Sequence, residues 1–164
     1  MRSPAFLLPL LLATACAKPE PPKITPVSMK VTSVTPLAIG MALELDVENR
    51  NSFPLMVRQV SGDMKIGAGV NVGSAQSEPN GTIPAHGTAR VPAQLSVGWT
   101  NLGALMPLAT SPKPVPYSFE GVAKVGSEKL NVDVPFTVKG ELTQQQVLQA
   151  GLRGLGGLIP VVPQ

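Results

Sequence analysis

The side chains able to take part in chemistry are few, and they stand apart from one another. The chain has one histidine, His86, inside Pro84-Ala85-His86-Gly87, and one cysteine, Cys16, near the N-terminus. A zinc site of the ordinary kind draws about four nitrogen or sulfur ligands, so the count alone excludes it. Glu44, Asp46 and Glu48 fall at every second position of one run. On a strand that spacing puts three carboxylates on one face, where they either collect a cation or stay solvated. No nucleophile elbow and no phosphate loop is present, and no His–Ser pair comes with an orienting acid that the sequence can nominate. Asn49 and Asn51 are neutral amides whose plain use is to end a strand and bond backbone groups left without partners. These residues indicate no catalytic group, no metal, no cofactor and no small-molecule substrate.

Cys16 is best understood through what precedes it. Residues 1–15 start with the positive Arg2, continue through the apolar run Ala5-Phe6-Leu7-Leu8-Pro9-Leu10-Leu11-Leu12-Ala13, and end in small residues, as a secretory signal does. The segment Leu12-Ala13-Thr14-Ala15-Cys16 resembles a bacterial lipobox, in which the cysteine receives diacylglycerol and becomes the mature N-terminus. The resemblance implies lipidation at Cys16 and, with Ala17 rather than Asp next, delivery to the outer membrane where a cell has one. The alternative is an ordinary secretory leader cleaved near Ala15, with Cys16 a free thiol. The sequence expects a proline-rich tether over residues 16–25, including Pro19-Glu20-Pro21-Pro22, in extended polyproline geometry. Two or three acyl chains anchor a protein without further help, whereas one binds marginally.

The elements that must position any surface function read as strands. Ile39, Met41, Leu43, Leu45 and Val47 are apolar at alternate positions, with Gly40, Ala42, Glu44, Asp46 and Glu48 between, which is the period of a strand with one buried face. Val27, Met29 and Val31 predict a strand before it. Leu55 and Val57 share one parity while Val60, Met64 and Ile66 take the other, so a β-bulge is expected near Arg58-Gln59. A weak strand follows at Val70 to Val72, then a polar loop from Gly73 to Gly81 that closes on the turn dipeptide Asn80-Gly81. Asn80-Gly81-Thr82 also matches a glycosylation acceptor, for which the turn is the sufficient reading.

Ala89, Val91, Ala93, Leu95, Val97 and Trp99 form the cleanest alternation. Pro92 within it cannot donate to a ladder and puts that strand at a sheet edge. Residues 101–109 have the apolar content of a short helix or turn. Tyr117, Phe119, Ala123 and Val125, then Leu130, Val132, Val134, Phe136 and Val138, close the set. The expectation is an all-β antiparallel sandwich of about seven strands over residues 26–142, with a barrel as the competing closure. In the C-terminal segment, 143–164, Thr143 and Gln146 form a capping-box pattern ahead of Val147, Leu148, Leu152 and Leu155. They predict a short helix from Gln144 to about Arg153, weakened by Gly151, Gly154, Gly156 and Gly157, or else a frayed tail.

Composition narrows the class further. The chain of 164 residues is 43% hydrophobic but only 4% aromatic, with 18 Pro and 16 Gly, so the core is aliphatic and long helices are disfavoured. The formal charge of +3 is small and scattered, unlike the clustered Lys and Arg of a nucleic-acid footprint. No run of about 18 apolar residues follows the leader.

The stretch Val47 to Val97 resembles the type 2 late embryogenesis abundant family, also called the water stress and hypersensitive response domain. The family's strand ending in Asn-Pro-Asn, followed by Pro-Leu and a valine strand, reads here as Asn49-Arg50-Asn51-Ser52-Phe53-Pro54-Leu55-Met56-Val57. Its glycine stretch reads as Gly67-Ala68-Gly69, and its Ile-Pro-Ala-x-Gly turn as Ile83-Pro84-Ala85-His86-Gly87. Arg50 replaces the family's proline, and Gly62-Asp63-Met64 stands where an aromatic is common. The resemblance implies a fibronectin type III-like or immunoglobulin-like sandwich with one short helix, and a role in desiccation or other stress, with no enzymatic activity. Joined to the leader, it leads to the expectation of a lipid-anchored envelope protein, outer-membrane and facing the periplasm where the cell has that layer. Such a protein would protect proteins or membrane through its surface. The alternative is an adaptor or assembly lipoprotein that binds an envelope protein by strand addition at the edge near Pro92 or by its C-terminal helix.

Overall fold

The computed structural model describes residues 18–100, 103, 108 and 110–156, with side chains described as far as Leu152. The leader, Cys16 and most of the 101–109 segment, for which a helix or turn was expected, lie outside the described residues. In chain order the elements are β1 (Lys23–Val34), β2 (Ala38–Glu48), β3 (Leu55–Ile66), β4 (Val70–Ser77), β5 (Gly81–Ile83), β6 (Thr88–Gly98), β7 (Val115–Gly126), β8 (Asn131–Leu142) and the helix α1 (Gln144–Gly156).

The strands form two antiparallel sheets, one in the order β1-β2-β6 and one in the order β4-β3-β7-β8, with β5 also paired to β3. Among the described residues no ladder joins the two sheets, so the closure is a sandwich rather than a barrel. The alternation of β2 decides the arrangement: Ile39, Met41, Leu43, Leu45 and Val47 are all at most 1% exposed. Burying five such side chains contributes on the order of 10 kcal/mol before chain entropy is charged against it. From the other sheet Leu55, Val57, Val60, Met64, Phe119 and Val125 face them.

The parity change foreseen in β3 appears as a register shift against β7 between Val57 and Gln59, which makes Arg58 the extra residue. A bulge also corrects one expectation. In β1 the pairing with β2 shifts between Pro26 and Ser28, so Val27 is displaced from the inward row and is 43% exposed. The first strand also begins at Lys23, ahead of the Pro26 boundary, and takes up the last part of the expected tether.

The loop expected over Gly73 to Gly81 is instead largely strand, because β4 continues to Ser77 along β3. Gly73 allows this. A Cβ there would overlap the carbonyl oxygen of Gly98, so only glycine lets β4 pass so close to the end of β6. At Gly121 the inward row of β7 leaves a gap that the ring of Phe136 fills, with Phe119 beside it at 6.2 Å between centroids.

Three of the four sheet edges, β1, β6 and β8, carry a proline, at Pro26, Pro92 and Pro135. Pro92 lies opposite Glu44 on β6, an edge strand as expected.

α1 starts on a reciprocal cap: the Gln146 N–H donates to Thr143 Oγ1 at 3.2 Å, and the Thr143 N–H donates to Gln146 Oε1 at 2.9 Å. The face it buries is not the expected leucine row. Val147 packs on the core and Ala150 is 1% exposed, while Leu148 and Leu152 are 63% and 72% exposed. A small residue lets the helix lie close on β1, which turns the i, i+4 leucines toward water.

Candidate functional site

The only polar or charged residues that are buried, among those described, are Asn49 and Asn51, at 1% and 7% exposure. They sit where β2 ends, in the turn toward β3, and each uses its amide in a way that explains its burial. The Asn49 side-chain N–H groups donate to the carbonyls of Phe53 (2.8 Å) and Pro84 (3.0 Å). Its Oδ1 accepts from both the backbone N–H and the side-chain amide of Asn51, each at 3.0 Å. The Asn49 backbone N–H donates to the Gly87 carbonyl, and the His86 N–H to the Asn51 carbonyl. The pair thus ties the β2–β3 turn to the turn between β5 and β6. Each of these hydrogen bonds contributes about 0.5–1.5 kcal/mol.

Asn51 reaches further. Its Oδ1 accepts from the Glu20 N–H and its Nδ2 donates to the Glu20 carbonyl, both at 2.8 Å. A side-chain amide thereby takes the place of a neighbouring strand's peptide group, and holds the chain just ahead of β1. Pro22 is buried next to this contact. Sequence reasoning missed Glu20 and Pro22 because a main-chain contact spanning 31 residues leaves no trace in residue type.

The other motif residues surround this clasp or shape turns. Leu55 and Ile83 are paired across β3 and β5 and buried, which brings the two halves of the motif together. Pro54 and Pro84 are exposed turn residues. Gly87 folds against Pro84 so tightly that a Cβ would overlap its ring. Gly67 and Gly69 lie at the far end of the sandwich, in the β3–β4 turn, where their φ values of 61° and 93° favour glycine. Asn80 and His86 both adopt φ of 49° in turns. At the clasp end Lys129 Nζ lies 5.5 Å from the centroid of the Phe53 ring.

The three acids of β2 do not converge on a cation site. Asp46 accepts two hydrogen bonds from its cross-strand partner Arg90, at 2.9 and 3.1 Å, and Glu48 accepts one from Arg50 at 2.9 Å. Glu44 accepts from Ser28 Oγ. The hydrogen bonds from Arg90 and Arg50, aided by the guanidinium charges, hold the Asp46 and Glu48 carboxyls below their ordinary pKa values. Among the described residues no group of three or more His, Cys, Asp or Glu could hold a metal, and no helix is long and apolar enough to cross a membrane.

Two hollows remain. An open groove of about 710 Å³ runs over Met56, Arg58, Lys124 and Asn131 on the outer face of the larger sheet, with Arg58 donating to Asn131 Oδ1 at 3.1 Å. A smaller cleft of about 260 Å³ lies at the opposite end from the clasp, between Val147 and Leu148 of α1 and Val34, Ile39 and Trp99. It has almost no polar lining, since the Trp99 N–H already donates to the Thr35 carbonyl at 3.0 Å. In neither hollow does a nucleophile meet a base.

In fold the chain is similar to several solved proteins. A solution structure from Arabidopsis thaliana matches with a TM-score of 0.60 at 14% identity, over 87% of this chain and 91% of that one. A further Arabidopsis protein, assigned to the late embryogenesis abundant (LEA) proteins, matches at 0.59 and 16% identity over 77% and 74%. A crystal structure of a protein from Archaeoglobus fulgidus matches at 0.53 and 13% over 77% and 97%. No curated protein matches the sequence. The family model described as late embryogenesis abundant protein matches residues 44–140, from the middle of β2 to near the end of β8, and it takes in Asn49, Asn51 and the turns they hold but not Glu20. By that match over more than half its length, the chain belongs to the late embryogenesis abundant protein family.

Proposed function

We propose that this protein is a non-enzymatic, lipid-anchored envelope protein that protects neighbouring proteins or membrane under water stress, acting through its surface. Family membership over residues 44–140 carries the stress role. The lipobox-like Leu12-Ala13-Thr14-Ala15-Cys16 supports the anchor, with the outer membrane as its address in a cell that has one. The geometry suits a scaffold: both buried amides are consumed in holding turns together, and no buried side-chain nitrogen or oxygen among the described residues lacks a partner. Such a site is built for rigidity.

Labelling cells with palmitate tests the anchor. Wild type takes up label and fractionates with membranes, and Cys16→Ser does neither; equal labelling of the two would refute it. Survival of a deletion strain after drying tests the role, and parental survival would refute that.

A second reading, an adaptor that binds an envelope protein, is favoured by the exposed Leu148 and Leu152 on α1. A single stoichiometric crosslinked partner in unstressed cells would support it over the protective role.

A further inference from the structure

The clasp has a consequence for how the domain stands on a membrane. We infer that the asparagine end of the sandwich is the surface that abuts the lipid headgroups, and that Asn51 sets this posture. The inference rests on the anchored reading above.

Glu20 is fixed to Asn51 by two 2.8 Å hydrogen bonds, Pro22 is buried, and Lys23 pairs with Glu48 as β1 begins. The leash from the lipid-bearing Cys16 therefore ends at Glu20, four residues on in the sequence. Four residues reach at most about 14 Å when fully extended. The clasp end cannot leave the headgroup layer by more than that.

The opposite end is much further away. β2 spans 11 residues between the two ends, which is about 36 Å at roughly 3.3 Å per residue. Leu37 lies just before it and Ser52 just beyond it. Turning the molecule over to place Leu37, Trp99 and α1 on the bilayer would lift Glu20 beyond the reach of its leash. The exposed Leu148 and Leu152 are thus kept from serving as a second membrane anchor in that inverted posture.

What meets the headgroups is polar. Arg50 lies between the two asparagines, His86 donates its backbone N–H to Asn51, and Lys129 rests on Phe53, whose carbonyl Asn49 holds. Arg50 is already paired with Glu48. Proximity is imposed by chain length rather than by a strong positive field, so the contact needs no anionic lipid.

The test uses lipidated protein returned to vesicles of phosphatidylethanolamine and phosphatidylglycerol that carry an acceptor dye on a headgroup. With Cys16 acylated, Ser52→Cys and Leu37→Cys each supply a single thiol for a donor dye, and both positions are exposed. Energy transfer is expected to be several-fold greater from position 52 than from position 37, in vesicles with and without phosphatidylglycerol. Equal transfer, or more from position 37, overturns the posture. Asn51→Ala in the Ser52→Cys chain frees Glu20 to Pro22, extends the leash to seven residues or about 24 Å, and should lower the transfer. An unchanged value overturns the role given to Asn51. Absence of palmitate on wild type would instead defeat the anchor itself, and with it this inference, before any distance is read.

Discussion

Asn49 and Pro84 are 35 residues apart in sequence, yet the amide of the first donates to the carbonyl of the second at 3.0 Å. That bond joins two turns that each cross from one sheet to the other, β2 to β3 and β5 to β6, and it lies inside the family's matched region.

Replacing Asn49 by alanine leaves the Phe53 and Pro84 carbonyls without donors, and should lower stability by about 2–4 kcal/mol. Asn49→Asp keeps the shape but cannot donate, and adds a buried charge, so it should be at least as damaging. Urea unfolding of the three chains, compared at unchanged m-value, gives the order.

A methyl group at Gly121 competes with Phe136 for the same space. Gly121→Ala is expected to cost about 1–3 kcal/mol through overpacking. In a Phe136→Leu background the same change should cost much less, and the double-mutant cycle measures the difference.

The Asp46–Arg90 pair has a pH signature. The hydrogen bond from Arg90 holds the Asp46 carboxyl below its ordinary pKa. A carboxyl depressed in the folded state stabilises it above the unfolded pKa, and that contribution is lost as pH falls through the folded one. NMR titration should show the Asp46 carboxyl rising toward its ordinary value in Arg90→Gln. Tyr117 works in the opposite range. Burial raises its phenol pKa above 10.0, so its contribution is complete below about pH 10 and declines as pH rises further.

Thr143→Ala removes one half of the cap on α1. It should destabilise the helix by about 1 kcal/mol and speed amide exchange at Val147 and Ala150, with β2 unaffected.

Much of this fold is legible in residue order, because local period decides it. Ile39 to Val47 announce a half-buried strand by alternation alone. The parity break around Arg58 locates a bulge since one residue must be absorbed before Val60 can face inward. Thr143 and Gln146 mark a helix start by a spacing that the cap geometry demands. Where contacts are distant in sequence, pattern is silent. Val27 has the right parity to be inside, but the shift after Pro26 displaces it. β4 looks polar from Gly73 onward and is held as strand by its neighbour β3. Leu148 and Leu152 are more hydrophobic than Ala150, yet closeness to β1 favours the smaller side chain. The asparagines were recognisable as strand-enders. That Asn51 also grips Glu20 depends on where β1 begins, which no local signal records.

The prolines on β1, β6 and β8 matter most when solvent is scarce. Each interrupts the row of amide donors that a neighbouring molecule would need in order to add its own strand. Wherever copies of this protein are pressed side by side with little water between them, an open strand border is a template for the next molecule. Molecules with uninterrupted borders would zip into fibres under such crowding. On these three borders copies of this chain find no continuous template to join, and the β4 border, which has no proline, is the one left able to pair.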